Sequence, residues 1–500
     1  MRLVGCGVLA SLLVSLPFTA SATIPVARVR GPDFDGDGHA DLAVSATYAN
    51  RGDDIDEVHL LWGGATGLGS PSDRLAVISD DDLPGTASGN TVSPFELAWG
   101  DFDGDCIDDL VIGEPCDDYD LDSSGLLCTG VVTVVPGTPR GLALDDALQF
   151  DGASIGFLPW PQDALGLTLA VGDFDGDLID DLAMGASQAY LDEDTQMGVV
   201  VIAFGGPSGL DPRDLQIVTD DTPQPSPILQ AFAREIAAGD FDCDGHDDLA
   251  IQDIGDVRVH YGSSSGVGGP GGTASTSLAH ADLGIDSPAS LASGNFDGEV
   301  DASPLGFRAC ADLAVGDHSG TVAIAYGLPS DAADPGLQVS TVPPTVIDGP
   351  AGFGRALSIG RFDGNAYDDL AIAFEGGARV HLGSDDGLLE DEFLDVALWP
   401  LPAGMPSTVG FGDFSDDGRG DLVVGHPELA PASCVGGECG GFVVADFGQA
   451  GASISIDSIT DWNADDLTEA SLVDTWRMGA RVTAGRSRFE PGCPSDPIVP

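Results

Sequence analysis

Short apolar segments, separated by turns of Gly, Asp and Pro, run through almost the whole chain. Across residues 167–220 they read LTLAVGD, DDLAMGA, MGVVVIAFGG and DLQIVTD, with apolar stretches of four to eight residues. Stretches of that length, rich in β-branched residues and bounded by turn residues, predict β-strands. Only DLTEASLVDTW near the C-terminus has a modest helical pattern. The hydrophobic pattern therefore predicts an all-β protein.

One acidic stretch recurs between these segments. DFDGDGHADLAV, which begins at Asp33, returns as DFDGDCIDDLVI from Asp101, DFDGDLIDDLAM from Asp173 and DFDCDGHDDLAI from Asp240. Weaker copies are GNFDGEVD, separated by an insertion from ADLAV at Ala311, then RFDGNAYDDLAI from Arg361 and DFSDDGRGDLVV from Asp413. The seven repeats begin near residues 33, 101, 173, 240, 295, 361 and 413, about 63 residues apart on average. A fixed period of this kind indicates stacked copies of one structural unit.

A second marker alternates with the acidic stretches. It reads WGGATGL at Trp62, PGTPRGL at Pro136, FGGPSGL at Phe204, YGSSSGV at Tyr261, YGLPSDAADPGL at Tyr326, LGSDDGL at Leu382 and FGQAG at Phe447. Two markers with equal counts indicate genuine repeats, each long enough for four short strands. Four strands per unit, repeated radially, are typical of a propeller blade. The sequence therefore predicts a seven-bladed β-propeller that folds as one ring, since a single blade cannot bury both of its faces.

The acidic stretches have the composition of a cation-binding loop. Carboxylates stand at positions 1, 3, 5 and 9, Gly residues between them permit a tight turn, and position 7 supplies a backbone carbonyl. Six to eight oxygen ligands at flexible distances suit Ca²⁺ better than Mg²⁺, which requires a stricter octahedron. The predicted ligands of the four complete loops are Asp33, Asp35, Asp37, His39 and Asp41; Asp101, Asp103, Asp105, Ile107 and Asp109; Asp173, Asp175, Asp177, Ile179 and Asp181; and Asp240, Asp242, Asp244, His246 and Asp248.

Three loops depart from this pattern, so we predict four calcium sites from complete loops and up to seven in all. Arg361 replaces the first ligand of the sixth loop, Ser415 replaces the second ligand of the seventh, and the fifth loop is split before Asp312. The ligands predicted in the sixth and seventh loops are Asp363, Asn365, Tyr367, Asp369, Asp413, Asp417, Arg419 and Asp421.

The order G-D-[apolar]-D-x-D-G-x-x-D-L-A, followed by a strand that ends in an aromatic residue and Gly, resembles the FG-GAP repeat of integrin alpha-subunit propellers and related bacterial secreted proteins. FGRALSIGRFDGNAYDDLAIAF, at residues 353–374, carries the FG half, whereas the GAP tripeptide is only approximated, as GEP from Gly113 and GHP from Gly425. The resemblance covers about residues 24–485. It implies a seven-bladed propeller with calcium in strand-to-strand loops on one rim, and a role in adhesion or extracellular recognition.

The sequence does not decide how the ring closes. MGARVTAGR, from Met478, resembles the first strand of a further repeat, but no acidic loop follows it. This segment can complete the ring beside or in place of the N-terminal segment Ile24–Val29. A degenerate eighth blade is the alternative.

The first residues read as a secretory signal peptide. Arg2 precedes an apolar stretch from Val8 to Phe18, and Ala20-Ser21-Ala22 forms an A-x-A cleavage site. We therefore expect a signal peptide at residues 1–22, a single propeller domain at 23–490 and a C-terminal tail at 491–500. No later apolar run of about 18 residues predicts a membrane span, so we expect a secreted, monomeric protein.

Cysteine usage fits an oxidising compartment. Cleavage after residue 22 leaves eight cysteines, an even number. Proximity predicts the pairs Cys434–Cys439 and Cys116–Cys128. The pairing of Cys106, Cys243, Cys310 and Cys493 cannot be read from the sequence.

The charge of the chain excludes two classes of partner. The formal net charge is −64, and all 18 basic residues are Arg. Seven bound calcium ions would add at most +14, so the acidity exceeds what metal binding requires. Such a surface repels nucleic acid and anionic membranes, which we therefore reject as partners.

We predict a binding protein and not an enzyme. Seven acidic loops at equivalent places argue against one catalytic carboxylate pair, which needs a single acid of raised pKa in a cleft. The two G-x-S-x-G matches, at residues 152–156 and 262–266, lack the strand-to-helix context that gives this motif meaning. We expect calcium to be structural and surface loops to bind an extracellular protein or glycan. The alternatives are a secreted glycan hydrolase or lyase on a propeller scaffold, and a structural surface-coat protein.

Overall fold

In its described residues, the computed structural model of the chain contains seven four-stranded sheets, one for each acidic loop. The sequence-based prediction of an all-β, seven-bladed propeller is confirmed. The predicted domain boundaries stay predictions. The structure describes residues 31–48, 56–65, 67–69, 77–79, 82–83, 96–115, 130–155, 164–187, 189–192, 195–196, 198–219, 232–268, 275–298, 300–303, 306–329, 336–337, 339, 342–390, 393–397, 408–426, 441–450, 453–463 and 476–482.

Each blade is a sheet in which neighbouring strands run antiparallel. The first four blades are β1 (Leu42–Tyr48), β2 (Asp56–Leu61), β3 (Val77–Ser79) and β32 (Trp476–Val482); β4 (Glu96–Gly100), β5 (Asp109–Glu114), β6 (Val131–Val135) and β7 (Leu148–Asp151); β8 (Leu165–Gly172), β9 (Asp181–Ala186), β12 (Val199–Ala203) and β13 (Leu215–Thr219); and β14 (Ile236–Gly239), β15 (Asp248–Gln252), β16 (Asp256–His260) and β17 (Ser275–Ala279).

The remaining three blades follow the same plan. They are β18 (Pro288–Gly294), β21 (Asp312–Asp317), β22 (Thr321–Ala325) and β23 (Thr345–Asp348); β24 (Leu357–Gly360), β25 (Asp369–Phe374), β26 (Gly377–His381) and β27 (Phe393–Ala397); and β28 (Thr408–Gly412), β29 (Asp421–His426), β30 (Gly441–Ala450) and β31 (Ser453–Asn463).

The C-terminal strand closes the ring. β32 pairs antiparallel with β1, placing Arg477 opposite Thr47 and Trp476 opposite Tyr48. It also contacts the inner strands β28 and β4, so that β32, β4, β8, β14, β18, β24 and β28 touch their neighbours in one closed cycle. The segment from Met478 therefore completes the first blade, and the alternative of an eighth blade is wrong. Ile24–Val29 lies outside the described residues.

Seven hydrophobic clusters fill the interfaces between neighbouring blades. Between blades 2 and 3, for example, Phe102 and Val111 pack with Leu182 and Val201. Position 2 of every acidic loop is a Phe at most 3% exposed: Phe34, Phe102, Phe174, Phe241, Phe296, Phe362 and Phe414. Burying such a side chain contributes roughly 1.5–3 kcal/mol, so each loop is anchored in the core at its own second residue.

Small hairpins and short helical turns lie outside the four-stranded sheets in the described parts of the chain. The hairpins are β10 (Tyr190–Asp192) with β11 (Thr195–Gln196), and β19 (Val300–Ser303) with β20 (Gly306–Ala309), the latter inside the split fifth loop. The helical turns are a 3-10 helix at Leu144–Asp146, α1 at Gly152–Ile155 and α2 at His280–Leu283. Within the described ranges, none of the helices is long and apolar enough to cross a membrane.

Candidate metal sites

All seven acidic loops lie at the same end of the ring. In blades 2 to 7 the loop connects the inner strand to the second strand, and in blade 1 it leads into β1. In four loops, three carboxylate oxygens lie within 4.8 Å of one another. These groups are Asp33, Asp35 and Asp37; Asp101, Asp103 and Asp105; Asp173, Asp175 and Asp181; and Asp240, Asp242 and Asp248. They belong to the four loops that the sequence predicts to be complete.

The acidic side chains fold their own loop around themselves. In the third loop, Asp173 accepts the Gly176 N–H at 2.7 Å and the Leu178 N–H at 3.0 Å. Asp175 accepts the Asp177 N–H at 3.1 Å, and Asp177 accepts the Ile179 N–H at 2.9 Å. These local bonds gather the carboxylates on the inside of the turn, where a cation can meet them. The carbonyl ligand at position 7 stays a prediction.

Position 9 ties the two sequence markers together. Asp181 is fully buried and accepts the N–H groups of Phe174 and Gly205, both at 2.8 Å. Gly205 follows the aromatic residue of the second marker, and a Cβ there would collide with the carbonyl oxygen of Asp180. The equivalent position-9 residues in five further loops, each bonded to its own Phe and marker Gly, are Asp41, Asp109, Asp248, Asp312 and Asp369. The aspartates predicted as ligands at this position therefore also hold the blade together.

Burial and mutual repulsion make the carboxylates costly to ionise without a cation. Burial, together with repulsion from nearby carboxylates, raises the pKa of Asp109 to about 7 and that of Asp181 to about 8. In the fourth loop, burial raises the pKa of Asp242 to about 6 and that of Asp240 well above its ordinary value. Unit charges 4 Å apart repel by about 4 kcal/mol at an effective dielectric of 20. A divalent cation would remove that cost by favouring the ionised form.

The incomplete loops lack such a group. No three acidic ligand atoms lie within 4.8 Å of one another in the described parts of the fifth, sixth and seventh loops. In the sixth loop, Arg361 Nε donates to Asp368 Oδ1 at 2.9 Å, and the Arg419 guanidinium opposes the rise that burial causes in the pKa of Asp363. In the seventh, burial raises the pKa of Asp421 to about 8, and its Oδ1 has no hydrogen-bond partner in the described structure. The ligands predicted in these loops stay predictions.

Position 8 carries a contact between blades that the sequence analysis missed. Asp247 Oδ2 accepts the Asp173 N–H of the preceding blade's loop at 2.9 Å, and the Asp247 N–H donates to the Asp173 carbonyl at 2.8 Å. The same bond to a position-1 N–H is made by Asp108, Asp180 and Asp368. The signal was present as DDL in four repeats, against ADL or GDL in the other three. Asp108, Asp180 and Asp247 thereby hold the first predicted ligand of the neighbouring loop, whereas Asp368 holds Asn295, which is not a predicted ligand.

One disulfide joins two blades. Cys243 and Cys310 are bonded with their Cα atoms 4.8 Å apart, which answers the pairing that the sequence left open for these two. Cys106 is also disulfide-bonded. The predicted pairs Cys434–Cys439 and Cys116–Cys128, together with Cys493, lie outside the described residues.

The inner strands enclose a channel cavity of about 310 Å³. Its wall includes Glu96 on β4, Glu235 just before β14 and Arg355 just before β24. The same cavity is also lined by three residues with hydroxyl side chains, Thr168, Ser290 and Thr408. The channel thus brings two carboxylates and a guanidinium to the lining of one cavity, outside the repeated loops.

Comparison with known proteins finds a family model that matches part of the chain. The FG-GAP repeat model matches residues 29–61, which span the first acidic loop, β1 and β2. No curated protein matches the chain.

The solved structures to which the chain is similar are distant. They include an Agrocybe aegerita lectin that recognises non-reducing terminal N-acetylglucosamine (TM-score 0.43, 11% identity, covering 88% of this chain and 95% of that one). BBS1N in complex with ARL6DN has a TM-score of 0.40 and 12% identity, over 80% of this chain and 90% of that one. The exotype rhamnogalacturonan lyase YesX has a TM-score of 0.37 and 11% identity, over 87% of this chain and 84% of that one. Likenesses this weak carry no argument about what the chain binds.

Proposed function

This chain is a seven-bladed β-propeller with FG-GAP repeats, and on that premise we propose that it is a secreted protein that binds calcium and recognises an extracellular protein or glycan. Calcium is structural: it holds the loops of blades 1 to 4 in one conformation. The four groups of converging carboxylates are the observation that carries this proposal. Recognition belongs to the surface loops, which a rigid ring holds in fixed positions.

The type of cation follows from the chemistry of the loops. The converging donors are carboxylate oxygens, with neither His nor Cys among the four groups. Hard oxygen ligands in a flexible loop favour Ca²⁺, whereas Zn²⁺ favours His and Cys. Extracellular calcium modules bind at roughly 10⁻⁴–10⁻³ M, so occupancy requires a calcium-rich medium.

The test combines stability with ligand binding. The mature protein is applied to a panel of glycans and matrix proteins in calcium and again in chelator, and its melting temperature is recorded in both. Specific binding that is lost in chelator, together with a lower melting temperature, supports the proposal. An unchanged melting temperature refutes structural calcium. Regular self-assembly without ligand binding would favour the surface-coat alternative.

A glycan-active hydrolase or lyase is the second candidate. The observation in its favour is the channel cavity lined by Glu96 and Glu235, because glycan hydrolysis commonly uses two carboxyl groups. Turnover of a polysaccharide panel that Glu96→Gln or Glu235→Gln abolishes, with an unchanged melting temperature, would establish it. Equal turnover by both variants would remove the channel carboxylates as catalysts.

A further inference from the structure

A second contact between blades recurs around the ring, between position 7 of one acidic loop and position 4 of the loop before it. A Cβ added to Gly36 would lie 2.9 Å from Ile107 Cγ1, and one on Gly104 would lie 3.3 Å from Ile179 Cδ1. The same contact joins His246 to Gly176, Tyr367 to Gly298, Arg419 to Gly364, His39 to Asp416 (Nδ1 to Oδ2, 3.7 Å) and Cys310 to Cys243.

Position 4 requires a left-handed backbone. Five loops use Gly there, at Gly36, Gly104, Gly176, Gly298 and Gly364, with φ between 66° and 78°. The two other loops have residues with a Cβ there, Cys243 at φ 60° in the fourth and Asp416 at φ 56° in the seventh. That conformation disfavours residues with a Cβ. At Cys243 the structure supplies a covalent constraint, the disulfide to Cys310 of the next blade.

The interface between blades 4 and 5 also lacks the carboxylate bond of position 8. Ala311 stands where the preceding interfaces have Asp108, Asp180 and Asp247, and it keeps the backbone bond from its N–H to the Asp240 carbonyl at 2.8 Å. The disulfide lies beside this gap, since Cys310 directly precedes Ala311. Its two residues are at most 1% exposed, so it is part of the interface core.

We propose that the Cys243–Cys310 disulfide is the positioning element of the fourth metal loop, replacing the Gly-to-side-chain contact that serves this purpose in blades 1 to 3. Cys243 stands between Asp242 and Asp244, so a covalent tie to the next blade fixes the backbone from which both carboxylates project. The cysteines position the ligands and are not ligands themselves. This inference rests on the proposed binding of calcium by the loops.

A matched pair of variants tests it. The double variant Cys243→Ala with Cys310→Ala removes the disulfide. Position 243 then still carries a Cβ, but its backbone is free to leave the left-handed conformation. Cation binding must then restore that conformation, and the calcium affinity of the fourth site falls roughly tenfold or more, which is about 1.4 kcal/mol. Cys243→Gly with Cys310→Ile recreates the contact of the first two interfaces and restores the affinity.

Calcium titration calorimetry of the full mature chain measures both the number of sites and their affinities. Asp240→Asn, which removes a carboxylate of the fourth site, identifies the heat that belongs to it. The three other sites are an internal control, because a general loss of folding would weaken all four.

Three results overturn the inference. Wild-type protein that binds no calcium refutes the proposed function and this inference with it. Four sites in the wild type with an unchanged fourth affinity in the double Ala variant refute the positioning role alone. Failure of the Gly and Ile pair to restore the affinity refutes the equivalence of the two contacts.

Discussion

Replacing Asp312 by Ala separates the tethering role of position 9 from its predicted metal role. Asp312 is fully buried, stands in the split fifth loop and accepts the N–H groups of Phe296 at 2.8 Å and Gly327 at 2.9 Å. Ala leaves both donors buried without a partner, at about 1–3 kcal/mol each. Burial raises the pKa of Asp312, so losing the carboxyl relieves part of that cost. We expect a net loss of unfolding free energy of about 2 kcal/mol or more.

Asp181→Ala is the matched variant in a loop with a converging carboxylate group. It removes acceptors from the N–H groups of Phe174 and Gly205, both at 2.8 Å, so its cost in chelator should equal that of Asp312→Ala. In calcium it should cost more, because one occupied site contributes about 2.7 kcal/mol at a hundredfold excess over its dissociation constant.

Equilibrium urea unfolding of both variants and the wild type, in chelator and in calcium, measures these differences. The expected result is a calcium-independent loss for Asp312→Ala and a calcium-dependent additional loss for Asp181→Ala. A change within about 0.5 kcal/mol for Asp312→Ala, typical of an inert surface substitution, would refute the tethering argument. Equal losses for Asp181→Ala in both media would refute its role as a ligand.

Three further predictions concern calcium, pH and the contacts between blades. Chelation should lower the melting temperature of the wild type, and Asp33→Asn should reduce that difference; a scan with and without calcium measures both. In chelator, the free energy of unfolding should fall as pH rises from about 4 to about 8. The reason is that folded Asp109 and Asp181, with pKa values of about 7 and 8, still hold protons in this range that the unfolded chain has released. Melting temperatures at both pH limits check the sign, and no such fall is expected in saturating calcium. Asp247→Ala should weaken the third calcium site and spare the fourth, since Asp247 Oδ2 accepts the Asp173 N–H at 2.9 Å. Asp247→Asn keeps an acceptor and should preserve the affinity of the third site. Calorimetry that finds the fourth site weakened instead of the third would contradict this prediction.

The candidate sites could be located from sequence because their structure is local. The carboxylates of Asp173, Asp175 and Asp177 accept hydrogen bonds from N–H groups of the same loop. Most of the interactions that shape the loop are therefore made within a nine-residue stretch. Position 9 reaches further, to the Gly of the second marker, which stands 14 to 28 residues later in the chain. Strand-length apolar runs and the regular period were enough to predict the blades and their number.

The incomplete loops show the limit of that local reasoning. Replacement of the first ligand by Arg361 was visible in the sequence, but its bond to Asp368, seven residues later in the same loop, was not. The approach of Arg419 to Gly364 depends in addition on the neighbouring blade. A ligand pattern read within one loop cannot include side chains that arrive from another.

By itself, the sequence determined the repeat, the all-β blades and the four loops whose carboxylates converge. The tertiary structure alone decided how the ring closes through β32, which cysteines join as Cys243–Cys310, and how positions 4, 7 and 8 link one loop to the next. The physical reason is distance along the chain: the Asp33–Asp108 bond spans 75 residues and the disulfide spans 67. Residues so far apart meet only when two complete blades pack face to face, and no local pattern records which blade will be the neighbour.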